Sequence, residues 1–462
     1  MIIFIPIEVS LREKVHRIFL AYQILKYTNF KVIIGGQRYL NQKIKNFKNC
    51  IWLDKHTFHE RLNIDKSNYV ICLDEEGPIS FAQDFGNQAL YSKFYIGLLD
   101  SIILWGKKDF EKIPHLKNSP IHIEALGHPK FDLLKSKYVN IFDKEVNIIK
   151  KKHKDFVFIP GSFGLENSIN LESTYVKIWA KKTKIKKKKI IEDQIRYSNL
   201  ERENYINFLK LIKKLAIENP NIKFIFRKHP TEDQKNLTNL LGKVPKNLRL
   251  INKFTVTPWI IACNYYLHSG CTTAIEAAIL KKKIIFHSTK VLSENSRFKM
   301  FKFSNLNFTD DNKCLSFFKN INKKKFTYKV KNIGSFIYNS NETKFFYKKF
   351  IQFIKKIKLK KDSLIEYREE NHNKLFKIFH TIRNIIFKIL SIIKNKIFIE
   401  TFLMKYLPEK HIFGKKAALR KFKNLKKSEV NNLILRLNSS NKIKIKVKTT
   451  KISNSVYKIE RI

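Results

Sequence analysis

The chain is poor in features that would place it outside a reducing compartment. It has five cysteines (Cys50, Cys72, Cys263, Cys271 and Cys314), an odd number with no CxxC pair. That spacing argues against a disulfide scaffold and against a zinc site. No run of about 18 uncharged apolar residues occurs, so no transmembrane helix is expected. The opening MIIFIPIEVSLRE is too short an apolar stretch for a signal peptide and carries no basic n-region. A cytoplasmic protein is expected, held to a membrane, if at all, from the inner face.

Acidic residues are also scarce: Asp+Glu is 39 against Lys+Arg 92, a formal net charge of +53. Such an excess normally points to a polyanionic partner. Arginine, however, supplies only 14 of the 92 basic residues, and Ile, Asn and Phe are abundant beside the lysines. That is the signature of AT-rich coding. Arginine is the preferred reader of base edges and phosphate forks, so its scarcity argues against a specific nucleic-acid binder. What is present is core-forming: 44% of the 462 residues are hydrophobic and 13% aromatic, enough for about two globular domains.

The first 35 residues read as strand (2–7), helix (11–27) and strand (31–34), a βαβ unit that calls for a parallel sheet. Further apolar runs at 69–73, 101–105 and 121–125 extend it. A Lys-rich stretch, 147–154, precedes a fresh strand at 155–160. The alternation then repeats with a helix at 199–217, strands at 223–227, 265–268 and 283–286, and helices at 231–241 and 272–280. Two doubly wound Rossmann-like α/β domains facing a cleft are expected, over 1–150 and 151–345. The lysine block 181–189 reads as a solvated loop. A basic helical extension covers 346–462; residues 361–462 hold 25 basic and 8 acidic side chains, +17. Within it, 374–399 reads as a helix with a wide Ile/Leu/Phe face. That face suits either packing on the body or an anionic membrane surface. Lys442 to Lys448 alternates and reads as a strand.

Three segments fall at the carboxyl ends of expected strands, where open α/β sheets bind ligands. In Asp74-Glu75-Glu76-Gly77, adjacent carboxylates should repel and raise a pKa, which suits a general base; the plain alternative is an acidic turn. In Arg227-Lys228-His229-Pro230-Thr231-Glu232, a histidine and two cations precede a helix start whose N–H groups could face a phosphate; the alternative is a helix cap. In the run from Leu267 to Ala278, Ser269, Gly270, Thr272 and Thr273 form a hydroxyl-lined helix start. Glu276, one turn in, can accept both hydroxyls of a ribose.

The order and type of these motifs resemble GT-B glycosyltransferases, and more narrowly the bacterial transferases of CMP-activated acidic sugars (sialic acid and Kdo). That group has an acidic pair followed by Gly in its first domain and His-Pro and Ser-Ser/Thr motifs in its second. Here these match Glu75-Glu76-Gly77, His229-Pro230, and Ser269 with Thr272 and Thr273, although Gly270-Cys271 separates the serine from the threonines. The opening Ile5-Pro6-Ile7-Glu8 with Arg12-Glu13, and Gly127-His128-Pro129-Lys130-Phe131-Asp132, are similar to surface carbohydrate biosynthesis proteins. The Ser-Gly…Glu-Ala run also resembles UDP-sugar enzymes such as UDP-GlcNAc 2-epimerase.

The resemblance covers about residues 1–345. It implies a nucleotide-sugar donor, CMP-linked rather than UDP-linked, held by the second domain as a substrate, with no cofactor and no metal. A glycan or lipid-linked glycan acceptor is implied on the first. Glu75 would deprotonate the acceptor beside Glu76, and His229 would stabilise the departing phosphate. Glu75, His229 and Ser269 should then line one gap. The alternatives are a nucleotide-sugar epimerase of the same fold, and a non-enzymatic protein that binds membranes or polyanions.

Overall fold

The computed structural model describes residues 1–43, 46–55, 64–75, 98–108, 121–162, 188–229, 232, 234–289, 300, 302–321, 326, 333–359, 364–365, 422 and 424–462. The first half holds strands β1 (Ile2–Ile7), β2 (Lys31–Gly36), β3 (Phe47–Lys48), β4 (Ile51–Asp54), β5 (Tyr69–Leu73), β6 (Ser101–Leu104) and β7 (His122–Ala125). The second half holds β8 (Val157–Pro160), β9 (Phe224–Arg227), β10 (Leu248–Ile251), β11 (Tyr265–His268), β12 (Lys283–His287) and β13 (Leu306–Phe308). Late in the chain come β14 (Leu364–Ile365), β15 (Val447–Ser453) and β16 (Val456–Arg461). The helices are α1 (Ser10–Tyr27), α2 (Gln37–Lys43), α3 (Pro129–Asp132), α4 (Asp143–His153), α5 (Lys188–Glu218), α6 (Gln234–Leu241), α7 (Val256–Ala262), α8 (Ala274–Ile279), α9 (Asp311–Lys319), α10 (Phe346–Lys355) and α11 (Lys427–Ser439).

The second sheet has the order β10-β9-β8-β11-β12-β13, and every pair in it is parallel. The chain winds outward from β8 on one side and from β11 on the other, so the topological switch point lies between those two strands. The first sheet runs β15-β16-β2-β1-β4-β5-β6-β7, parallel from β2 to β7. Its inner strands are buried on both faces: Ile3, Ile5, Leu53, Ile71 and Ile103 lie on one, and Phe4, Trp52, Cys72 and Ile102 on the other. That double burial explains their continuous apolar runs. The expected fold class, α/β with two Rossmann-like halves, is the one observed.

Several details differ from the expectation. The return to the first half begins by Ile333: Asn339 Nδ2 donates to His128 O at 2.9 Å and to Asp132 Oδ1 at 2.7 Å. Phe346 and Tyr347, at the start of α10, donate their N–H groups to the buried Asp132 carboxylate at 2.9 and 3.0 Å. The C-terminal residues also belong to this half rather than to a free extension. Strand β16 pairs antiparallel with β2, and α11 packs on α1. The alternating stretch from Lys442 is a strand only from Val447 onward. Helix α5 begins at Lys188, inside the expected lysine loop. The helix expected at 374–399 lies outside the described residues. All five cysteines are free and buried, and among the described residues no helix is long and apolar enough to cross a membrane.

The hairpin fits closely. A Cβ at Gly35 would lie 2.5 Å from Ser455 O and 2.9 Å from Val456 Cα. Ile459 is fully buried against β2. Ile459→Ala should therefore cost about 2–4 kcal/mol, the range for a truncated core isoleucine, read as a shift in urea midpoint. A loss below about 0.5 kcal/mol, the usual size of a surface effect, would show that the hairpin is peripheral to the sheet.

Candidate functional site

Glu75 follows β5 at its carboxyl end, as expected, but it is not an open base. Its side chain is 1% exposed and carries three neighbours. Arg17 Nη2 lies 2.8 Å from Oε1, His16 Nε2 2.9 Å from Oε1, and His128 Nε2 3.3 Å from Oε2. Helix α1 presents His16 and Arg17; His128 is the N-cap of α3, after β7. Burial pushes the Glu75 carboxyl up, but His16, His128 and Arg17 around it outweigh that and hold it well below the usual range. The pKa raised by adjacent carboxylates is thus reversed, because two imidazoles and a guanidinium sit where mutual repulsion was expected. Glu76 and Gly77 lie outside the described residues.

Burial pushes His128 down to about 3, so its ring is neutral at pH 7. The Lys130 N–H donates to His128 Nδ1 at 3.3 Å, which leaves the ring proton on Nε2, facing Glu75. His16, Glu75 and His128 offer ligand atoms within 4.8 Å of one another, the geometry a metal ion could use. The Arg17 guanidinium already supplies the cation, and His128 Nε2 carries a proton where a metal would need a lone pair. The residues fit an ion-pair cluster better than a metal centre.

In the second half, Arg227 ends β9 and is 6% exposed. Its Nη2 donates to Phe254 O at 2.9 Å, while its Nε is buried with no hydrogen-bond partner among the described residues. Desolvation lowers its pKa to about 10, partly offset by Cys271, Glu276 and Glu232. The His229 N–H donates to Glu232 Oε2 at 2.9 Å, so the turn is closed by a carboxylate and that N–H is not open to a phosphate. Pro230 and Thr231 lie outside the described residues, and α6 begins at Gln234 rather than 231. Gly161, after β8, abuts this turn: a Cβ there would lie 2.7 Å from His229 N and from Glu232 Oε2.

Strand β11 leads into Ser269 and Gly270, whose φ of +91° is natural only for glycine. The N–H groups of Ala274 and Ile275 turn back onto Cys271 O and Thr272 O, so they add nothing to an anion hole. Thr273 also faces inward: its Oγ1 lies 2.6 Å from Tyr266 OH and 3.0 Å from Cys271 Sγ. Thr272 is exposed and Ser269 is buried. Asn204 Nδ2, from α5, donates to Ser269 Oγ at 2.9 Å, and Ser288 Oγ donates to Asn204 Oδ1 at 3.2 Å. That relay occupies a lone pair of Ser269 and leaves its hydroxyl proton to donate. Sequence reasoning missed Asn204, because nothing local marks a helix asparagine that reaches another strand's turn. Glu276 is buried; Thr257 Oγ1 donates to its Oε2 at 3.2 Å, and Lys130 Nζ lies 3.7 Å from its Oε1.

The two expected sites therefore meet through Lys130, which follows His128 in the first half and reaches Glu276 in the second. Glu75 stands one layer behind that contact.

No known protein family matches the chain, and no curated protein does. Among solved structures it is similar to UDP-GlcNAc 2-epimerase of Methanocaldococcus jannaschii, with UDP-GlcNAc and UDP, at 11% identity over 77% of this chain and 99% of that one (TM-score 0.46). It is also similar to the wall teichoic acid polymerase TagF at 13% identity, over 77% and 88% of the chains (TM-score 0.49). S. aureus MnaA with UDP matches at 12% identity, over 77% and 95% (TM-score 0.46). At these scores the likenesses carry no argument about activity.

The cluster has a pH signature. Folded His128 stays neutral down to about 3, whereas unfolded it takes a proton near 6.5. Its contribution is therefore present above pH 6.5 and lost as pH falls toward 3. Glu75, depressed below 4.5, loses its contribution in the same direction at lower pH. His128→Asn keeps an N-cap residue and should make the fall in urea midpoint between pH 7 and 4.5 shallower than in the wild type. His268, also pushed down to about 3 by burial, supplies remaining slope. Equal slopes would contradict a neutral, buried His128.

Proposed function

We propose that the chain is a glycosyltransferase that moves a sugar from a nucleotide-sugar donor onto a surface-glycan acceptor. The observation that carries the reading is the switch point of the second sheet, where polar groups that follow β9 and β11 come together. Arg227 keeps a buried Nε donor with no partner among the described residues. Ser269 has its hydroxyl proton left to give, Gly270 opens the turn, and Thr272 stands beside them. These groups suit a phosphate, and the Glu276 carboxylate suits a ribose. Thr273 holds the turn from within.

The chemistry follows from those placements. His229 stands at the same edge as Arg227 and would stabilise or protonate the departing phosphate. Glu75, pinned by Arg17, is a poor proton acceptor at neutral pH, which leaves Glu76 as the carboxylate of the pair for deprotonating the acceptor. The donor proposed first is CMP-linked and acidic; a UDP-sugar is the competing choice. The chain would work at the cytoplasmic face, with 374–399 as its contact to anionic lipid. A second reading, nucleotide-sugar epimerisation, is favoured by one observation: His16 and His128 beside Glu75 are the extra titratable groups that such a reaction needs.

Calorimetry with CMP, CDP and UDP should show binding by one of them, weakened by about 1–3 kcal/mol in Glu276→Gln, the cost of a lost bond to a charged group. His229→Ala should abolish turnover in a donor and acceptor screen while keeping the fold. Sugar exchange in deuterated water without an acceptor would select the epimerase. Failure of all three nucleotides to bind would exclude both readings.

A further inference from the structure

Glu276 has no idle oxygen. Thr257 Oγ1 holds Oε2, and Lys130 Nζ sits 3.7 Å from Oε1. Lys130 comes from the other half, in the first turn of α3, with its N–H on His128 Nδ1. Its ammonium lies 4.3 Å from the Trp105 ring centroid and 5.0 Å from that of Phe131. The pair is sheltered, with side chains 18% and 7% exposed. At 3.7 Å it lacks the closer approach of a strong charge-assisted hydrogen bond. A ribose that used both oxygens of Glu276 would have to displace this ammonium.

We propose that Lys130 is a phosphate ligand supplied by the first half, parked on Glu276 until a nucleotide enters. The ribose hydroxyls then take Glu276, and the ammonium moves to a phosphate oxygen. A lysine suits the exchange, since its charge is compact and its four-carbon stem is flexible. A nucleoside would break the Lys130–Glu276 pair and return nothing. A nucleotide replaces the lost carboxylate with its own negative charge. Lys130 thereby makes binding depend on the phosphate, and it couples the occupied second half to the acceptor side. This rests on the nucleotide reading above.

The test is calorimetry of wild type, Lys130→Met and Lys130→Arg with cytidine, CMP, uridine and UDP. Methionine keeps a stem over Trp105 and removes the charge. Lys130→Met should bind nucleosides about threefold tighter, the scale of a weak ion pair released. The gain from adding phosphate, the nucleoside-to-nucleotide ratio of Kd, should fall about tenfold, the scale of a lost charge-assisted bond. Lys130→Arg should retain most of that gain. An unchanged ratio in Lys130→Met overturns the inference and leaves the nucleotide reading standing. Equal weakening toward nucleosides and nucleotides also overturns it, making Lys130 a packing residue. If the wild type binds none of the four, the nucleotide reading fails and Lys130's role falls with it.

Discussion

The ion pair between Glu75 and Arg17 is the constraint on which the first half turns. A fully buried guanidinium is tolerable only beside a compensating charge, and removing one partner of such a pair typically costs about 3–5 kcal/mol. Meeting that demand draws α1 against the carboxyl end of β5. His128 then closes the cluster from the end of β7, and its Nδ1 receives the N–H of Lys130. Lys130, which reaches Glu276 in the second half, is therefore tied to the buried pair through His128.

The second half is organised by topology rather than by charge. Because β8 and β11 are neighbours while the chain winds away from each, their carboxyl ends leave room that no crossover fills. Gly161 and Gly270 keep the backbone low there, and the relay from Ser288 through Asn204 fixes the hydroxyl of Ser269. Arg227, buried and drawn on by three acidic or polarisable neighbours, gives the edge its positive charge. Nothing in this arrangement would select one sugar; on the proposed reading it would hold an anion beside a hydroxyl pair.

Much of the frame was legible because buried parallel strands write themselves locally. Tyr69–Leu73 and Tyr265–His268 are strands residue for residue, since each is an apolar run closed by a polar turn. What was illegible depends on distant partners. The stretch from Lys442 alternates like a strand, yet pairing with β16, itself set by β2, admits only Val447 onward. Helix α5 extends back through lysines that local charge marks as loop. At the site, the sequence shows Glu75 only beside other carboxylates, so repulsion looked decisive. The groups that reverse it, His16 and Arg17 from α1 and His128 after β7, come from distant segments, and no local pattern announces the pairing. Thr273 resembled a phosphate ligand by position, but its hydroxyl serves Tyr266.

The central claim is that the switch point of the second sheet holds a nucleotide. A crystal structure of the full chain with bound CMP or UDP tests it most directly. The account predicts phosphate density among Arg227, Ser269, Gly270 and Thr272, with the ribose on Glu276 and the Lys130 ammonium displaced from that carboxylate. A nucleotide seated only on the first half, or one that leaves Glu276 and Lys130 paired, would contradict it.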